Sequence, residues 1–169
     1  MAAQAGDTIE IETIASQGAA TQAALLALNN VHARQTTLLD EAAWRKMIGD
    51  AFIATCVADA GGLLIAFDQS ADYSSANFRW FRDRMQRFAY VDRIVIDAAL
   101  QGRGIARALY EDLFAKARAA GHDRVACEVN IAPANPGSLA FHARLGFREL
   151  ERGSPYGGGK IVQYLSREV

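Results

Sequence analysis

Apolar residues recur at every second position in some stretches and every third or fourth in others, and the switches mark out the elements. From Thr8 to Ala15, Ile9, Ile11 and Thr13 alternate with acidic residues, which predicts a half-buried strand. Gly18 to Arg34 carries Ala and Leu at helical spacing. Asp40 suits the N-cap of a second helix running through Trp44 and Met47 to about Gly49. Phe52 to Ala58 and Leu63 to Asp68 read as strands joined by a hairpin turn at Asp59-Ala60-Gly61-Gly62. Ser70 to Arg87 is polar, aromatic and Arg-rich without clean periodicity, so a loop with at most a helical turn is expected there.

The second half is patterned more sharply. Phe88 to Asp97 is a strand, and Gly104 to Ala120 a long helix with Ile105, Leu109 and Leu113 on one face. Gly121 is placed to stop that helix. Arg124 to Asn130 is a further strand, and a short helix opens at Pro133 to Asn135 and ends at Gly146. Phe147 to Arg152 and Ile161 to Leu165 are the last strands, joined through Gly157-Gly158-Gly159. The order β-α-α-β-β-β-α-β-α-β-β predicts a mixed α/β fold. No internal repeat stands out.

Composition narrows the class. At 169 residues, residues 1–169 are expected to form one domain large enough for an ordinary core. A content of 51% hydrophobic and 22% charged residues argues against disorder, and a net charge of −1 gives no support for nucleic-acid binding. No apolar run approaches the ~20 residues of a membrane span, and Met1 to Asp7 lacks the basic and apolar regions of a signal peptide. Cys56 and Cys127 lie in apolar strand-like runs, far from any group that would activate a thiol, which suits a reducing compartment. A cytoplasmic protein is expected. Arginine outnumbers lysine fifteen to three, and Arg79, Arg82, Arg84, Arg87 and Arg93 crowd one region. They are either a solvated face or a positive rim for phosphates or an acidic substrate.

One segment carries specific chemistry. The β-branched run Ile94-Val95-Ile96 passes through Asp97-Ala98-Ala99-Leu100 into Gln101-Gly102-Arg103-Gly104-Ile105-Ala106 and a long helix. The first N–H groups of a helix have no internal partner and carry its positive dipole end, so such a turn suits a phosphate. A dinucleotide fingerprint fails, because its third glycine would be Arg107. A P-loop also fails: Gly159-Lys160 precedes Ile161, and Ser154 stands where the first glycine belongs.

The turn resembles the acetyl-CoA pyrophosphate loop of GNAT-type N-acetyltransferases, Q/R-x-x-G-x-G/A, at every position of Gln101 to Ala106. A second block is similar to that superfamily's too: Asn135, Ser138, His142 and the pair Gly146-Phe147, with His142 where the superfamily usually has Tyr. The resemblance covers residues 88 to 165 well and the N-terminal half only in element order. It implies a central mixed, mostly antiparallel sheet flanked by helices, with acetyl-CoA as donor and a primary amine of a small molecule or peptide as acceptor. A homodimer is common among such proteins, and no metal is implied.

Particular residues inherit expectations from this resemblance. Gln101, Gly102, Arg103, Gly104, Ile105 and Ala106 would hold the diphosphate. Backbone groups of Ile94, Val95 and Ile96 would face the thioester. Asn135, Ser138 and His142 share one helix face, which in the family meets the pantetheine arm. With an ordinary pKa near 6.5, about a quarter of His142 would be imidazolium at neutral pH, enough to protonate a leaving thiolate. It could equally serve only as a hydrogen-bonding residue of the fold. For the base, Asp92 is preferred, with Glu128 second, and either could instead pair with one of the many arginines. Strand alternation places Asp92 on the face of both Tyr90 and Ile94. An acyl-CoA-binding sensor without chemistry is the alternative, and His142 in place of Tyr is its main support.

Overall fold

The computed structural model describes residues 8–33 and 36–169. Met1 to Asp7, and Arg34 at the expected end of the first helix, lie outside the described residues. The strands are β1 (Ile11–Thr13), β2 (Ile53–Val57), β3 (Gly62–Asp68), β4 (Phe88–Ile96), β5 (Arg124–Ala132), β6 (Arg148–Gly153) and β7 (Ile161–Glu168). The helices are α1 (Ala19–Val31), α2 (Glu41–Asp50), α3 (Ala76–Arg82), α4 (Ile105–Ala119) and α5 (Pro136–Arg144). One open sheet runs β1-β2-β3-β4-β5-β7-β6. Every neighbouring pair is antiparallel except β4 and β5.

Helices cover both faces. Ile105, Leu109, Leu113 and Phe114 of α4 pack on Leu64, Val91, Val125 and Val129 of the sheet. Across the sheet, Leu25 of α1, Trp44 of α2 and Phe78 and Phe81 of α3 cover Ile65, Phe67, Tyr90 and Tyr164. The helix ends follow local chemistry. Asp40 accepts a hydrogen bond from the Ala43 N–H at 2.8 Å and so caps α2. Gly121, at φ +80°, ends α4 with the His122 N–H donating back to the Ala117 carbonyl.

Three differences from the sequence reading matter. The first strand is short, because a 3₁₀ turn over Ile14–Ser16 takes its end. The hairpin between β2 and β3 is likewise tightened by a 3₁₀ turn over Ala58–Ala60. The 70–87 segment holds a true helix, α3, capped by the Ser75 hydroxyl, which accepts from the Phe78 N–H at 3.4 Å. Its buried residues Asn77, Phe78 and Phe81 follow helical spacing, which the polar run before Ser75 obscures.

Two features of the central strands shape the site. Opposite β3, Arg93 faces Ile65 while Val91 faces Ala66, so Asp92 is the extra residue of a bulge. The bulge inverts the alternation that a straight strand would keep. Ile94 packs on the α4 face, whereas Asp92 bonds to Tyr73, which packs on the opposite face. The expectation that Asp92 and Ile94 share a face is therefore overturned, and that for Tyr90 and Asp92 stands. In addition, β4 and β5 pair only from Phe88 with Arg124 to Tyr90 with Ala126. Beyond that point the two strands part.

Candidate active site

A cavity of about 590 Å³ fills the gap between the parted strands. One end meets the turn before α4. There Gly102 and Gly104 sit at φ +78° and +83°, a left-handed backbone that other residues adopt only with strain. A Cβ at either would project into open space, so backbone conformation, not crowding, demands glycine. Gly104 is the N-cap of α4 and no side chain occupies the cap, which leaves the first N–H groups open to a ligand. Gln101, Gly102, Gly104, Ile105 and Ala106 line this end, with Arg107 and Arg144 adding cations. Arg103 is exposed, and its side chain is not on the cavity wall.

The middle of the wall comes from Ile94, Val95 and Ile96 of β4 and from Asn135, Ser138 and His142 of α5. Asn135 caps its own helix, accepting from the Ser138 N–H at 3.2 Å. His142 is buried, and both ring nitrogens are engaged. Nδ1 lies 2.8 Å from the Ser138 carbonyl, which can only accept, so this nitrogen carries the proton. Nε2, 2.7 Å from the Tyr110 hydroxyl, is then the acceptor. Burial lowers the His142 pKa, so the imidazolium expected from its ordinary value is suppressed. The acid role expected of His142 lacks a free nitrogen.

The far end is built on side chains from elements distant in sequence. Glu128 of β5 takes two hydrogen bonds on one oxygen: Asn77 Nδ2 donates to Oε1 at 2.9 Å and the Tyr90 hydroxyl at 3.1 Å. Its other oxygen, Oε2, is shielded from water and has no partner among the described residues. The residue as a whole is only half-buried because it lines the cavity. Desolvation, and then the charge of Asp92, push its pKa up to about 8, against the pull of its two donors. A carboxylate anchored by one oxygen, bare at the other and titrating near neutrality is suited to accept a proton.

Asp92 is differently placed. Its Oδ1 accepts from the Tyr73 hydroxyl at 2.5 Å and its Oδ2 from Arg93 Nε at 2.8 Å. Arg93 is itself buried and donates from Nη1 to Asn29 Oδ1 on α1 at 2.8 Å. Both carboxylate oxygens are thus committed to one network, with the arginine partner that the sequence reading had allowed for. The preference for Asp92 over Glu128 reverses on this geometry.

Asn77, Tyr73 and Tyr110 belong to the site and were not anticipated. Nor was Tyr164, whose hydroxyl donates to Asn77 Oδ1 at 3.2 Å and so fixes the amide with its NH₂ toward Glu128. Trp80 stacks on the Tyr164 ring at 4.0 Å. The arginine-rich segment makes no rim: Arg79, Arg82, Arg84 and Arg87 are exposed. Arg84 lies 4.2 Å over Trp80, and Arg87 pairs with Asp123 at 2.8 Å. Of the five arginines, Arg93 alone lines the cavity.

Comparison with known proteins decides the family. The acetyltransferase (GNAT) family model matches residues 25–147. The chain belongs to that family. A search of curated proteins finds no match to it. Among solved structures, a chain of the NatC complex bound to Gag peptide and CoA is similar at 15% identity and TM-score 0.73, covering 95% of this chain and 98% of that one. A phosphinothricin acetyltransferase from Sinorhizobium meliloti in complex with acetyl-CoA is similar at 20% identity and TM-score 0.68, covering 96% and 89%. The ribosomal-protein-alanine N-acetyltransferase from Brucella melitensis is similar at 19% identity and TM-score 0.67, covering 95% and 100%. These likenesses establish the GNAT fold. Among the described residues no helix is long and apolar enough to cross a membrane, and no cluster of metal-ligating side chains occurs.

Proposed function

We propose that this GNAT protein moves an acetyl group from acetyl-CoA to a primary amine, of a small molecule or a peptide, by direct attack on the thioester. The observation that carries the reading is the unpartnered Oε2 of Glu128, a residue lining the cavity that begins at the open N-terminus of α4. Two of the similar structures hold CoA or acetyl-CoA, which supports the choice of donor.

The diphosphate lies against the amides that follow Gly102 and Gly104, where the helix dipole and Arg107 and Arg144 favour negative charge. The pantetheine arm runs between the parted halves of β4 and β5. The amine arrives from the α3 side as an ammonium ion. Glu128 Oε2 takes one proton, and the nitrogen lone pair attacks the thioester carbon. Backbone N–H groups among Ile94 to Ile96 stabilise the oxyanion. Its collapse breaks the C–S bond and releases a thiolate, and the second proton of the amine nitrogen passes to that sulfur or to solvent; free thiols have a pKa of ~8.5, low enough for departure without prior protonation. We assign His142 to holding Tyr110 at the α4–α5 junction.

A second reading, an acyl-CoA sensor without chemistry, has one observation in its favour: the histidine at position 142 has both nitrogens engaged. A sensor has no use for an unpartnered carboxylate oxygen in a dry wall, and we rank it second. Incubation with acetyl-CoA and a panel of primary amines, following free thiol, separates the two. Amine-dependent thiol release, lost in Glu128→Gln, is expected. Acetyl-CoA binding by calorimetry without turnover on a broad panel would overturn the enzymatic reading.

A further inference from the structure

We propose that Asp92 is a positioning residue that sets the proton-accepting strength of Glu128 across the cavity, its own charge fixed by Tyr73 and Arg93, without touching the amine. The inference rests on the reading of Glu128 as the base.

Two carboxylates line one small cavity, and like charges in dry surroundings do not both ionise freely. Their hydrogen-bond partners decide which yields. Asp92 has a donor on each oxygen, one of them a buried guanidinium whose other contact reaches away to Asn29 on α1. Its carboxylate is therefore the fully partnered one of the two. Glu128 has only neutral donors, both on one oxygen, and absorbs the repulsion. Environments that push two acids apart in this way divide their roles.

The bulge makes this arrangement possible. In an unbroken strand Asp92 and Arg93 would point to opposite faces. With Asp92 as the extra residue, both join the network beside Tyr73 and Asn29. Arg93 thus stays in hydrogen-bond reach of the aspartate, while the carboxylate of Asp92 raises the Glu128 pKa.

Other titratable groups facing Glu128 are Tyr90 of β4, Cys127 of β5, Tyr110 of α4 and Tyr164 of β7. Burial raises the pKa of each, which keeps all four uncharged around neutrality. Tyr73, ahead of α3, is neutral for the same reason, and Asn77 of α3 carries no charge. His142 of α5 is held neutral by burial, and Lys160 of the β6–β7 hairpin lines the same cavity. Asp92 is the second carboxylate on the cavity wall.

The test is carbon-13 NMR of the unliganded protein labelled at glutamate Cδ, with the Glu128 signal assigned by its loss in Glu128→Gln. A midpoint of about 8 is expected in the native protein. In Asp92→Asn it should fall by about one pH unit, and the acidic limb of amine-dependent thiol release should fall with it. Because Asp92→Asn leaves Arg93 buried without its partner and could unfold the chain, Asp92→Asn/Arg93→Met is the second variant, with a smaller shift in the same direction. A Glu128 midpoint that stays or rises in whichever variant folds overturns the proposal. So does Asp92→Asn that abolishes transfer at every pH with the Glu128 signal unmoved, for Asp92 would then be the base. Transfer that survives in Glu128→Gln with its acidic limb intact sinks the base reading instead, and the two failures are thereby told apart.

Discussion

The two ends of the cavity are built on opposite principles. The donor end is main chain: two left-handed glycines and the uncapped start of one helix, contributed by a few consecutive residues. The acceptor end is side chain: Glu128 from β5, Asn77 from α3, Tyr90 from β4 and Tyr164 from β7, joined by hydrogen bonds across up to 87 positions of sequence. A backbone site binds what every donor molecule shares. A side-chain site can be retuned one residue at a time, and on the proposed function that is where the acceptor is chosen.

If the division is real, substitutions at one end should leave the other untouched. Glu128→Gln is expected to have the largest effect, lowering amine-dependent thiol release by about 10²–10⁴-fold, the range for a lost general base. Calorimetry should show its acetyl-CoA affinity unchanged, and a parallel loss of affinity would break the comparison. Gly104→Val should do the reverse. A β-branched residue at φ +83° costs on the order of 1–3 kcal/mol, so acetyl-CoA affinity should fall about ten- to a hundredfold while the Glu128 titration stays in place.

Asn77→Ala sharpens the acceptor side. Its amide donates to the ionised carboxylate and lowers the Glu128 pKa, so its loss raises the pKa further. The acidic limb of the rate profile should move to higher pH, with a several-fold drop in rate near pH 7.

Stability responds with the opposite sense to activity in Glu128→Gln. The folded pKa of about 8 exceeds the ordinary 4.5, so the native state holds a proton that the unfolded chain has lost between those values. Stability therefore falls as pH rises from 4.5 to 8 and stays reduced above. Removing the carboxylate should raise stability at pH 9 on the order of 1–3 kcal/mol, with the gain fading toward pH 5, as thermal unfolding would show. Arg84→Ala should do least, within about 0.5 kcal/mol and with unchanged kinetics, because its guanidinium lies over Trp80 outside the cavity.

The same division explains what the sequence disclosed. Gln101 to Ala106 was legible because a backbone site leaves a contiguous trace, with glycine at the positions whose φ demands it. The order of strands and helices was legible for a related reason, since periodicity is local. Asn77 was hidden because α3 has few residues and a polar run ahead of its cap. The bulge at Asp92 was hidden because Val91-Asp92-Arg93-Ile94 contains no glycine or proline to mark it, and it is set by the register with β3. Alternation therefore put Asp92 with Ile94 and favoured Asp92 over Glu128. What made Glu128 the better candidate was one empty oxygen, which no pattern of residue types encodes.

The parting of β4 and β5 has a mechanical consequence. The two halves of the molecule, β1 to β4 and β5 to β7, are stitched to each other by rungs at only three residue positions, Phe88 to Tyr90 opposite Arg124 to Ala126, with α4 spanning the seam. On the proposed function, a donor molecule lodged in that seam takes the place of the missing rungs and acts as mortar. Occupancy should accordingly slow amide exchange along residues 91–96 and raise the melting temperature, and the empty protein should fail first along this line.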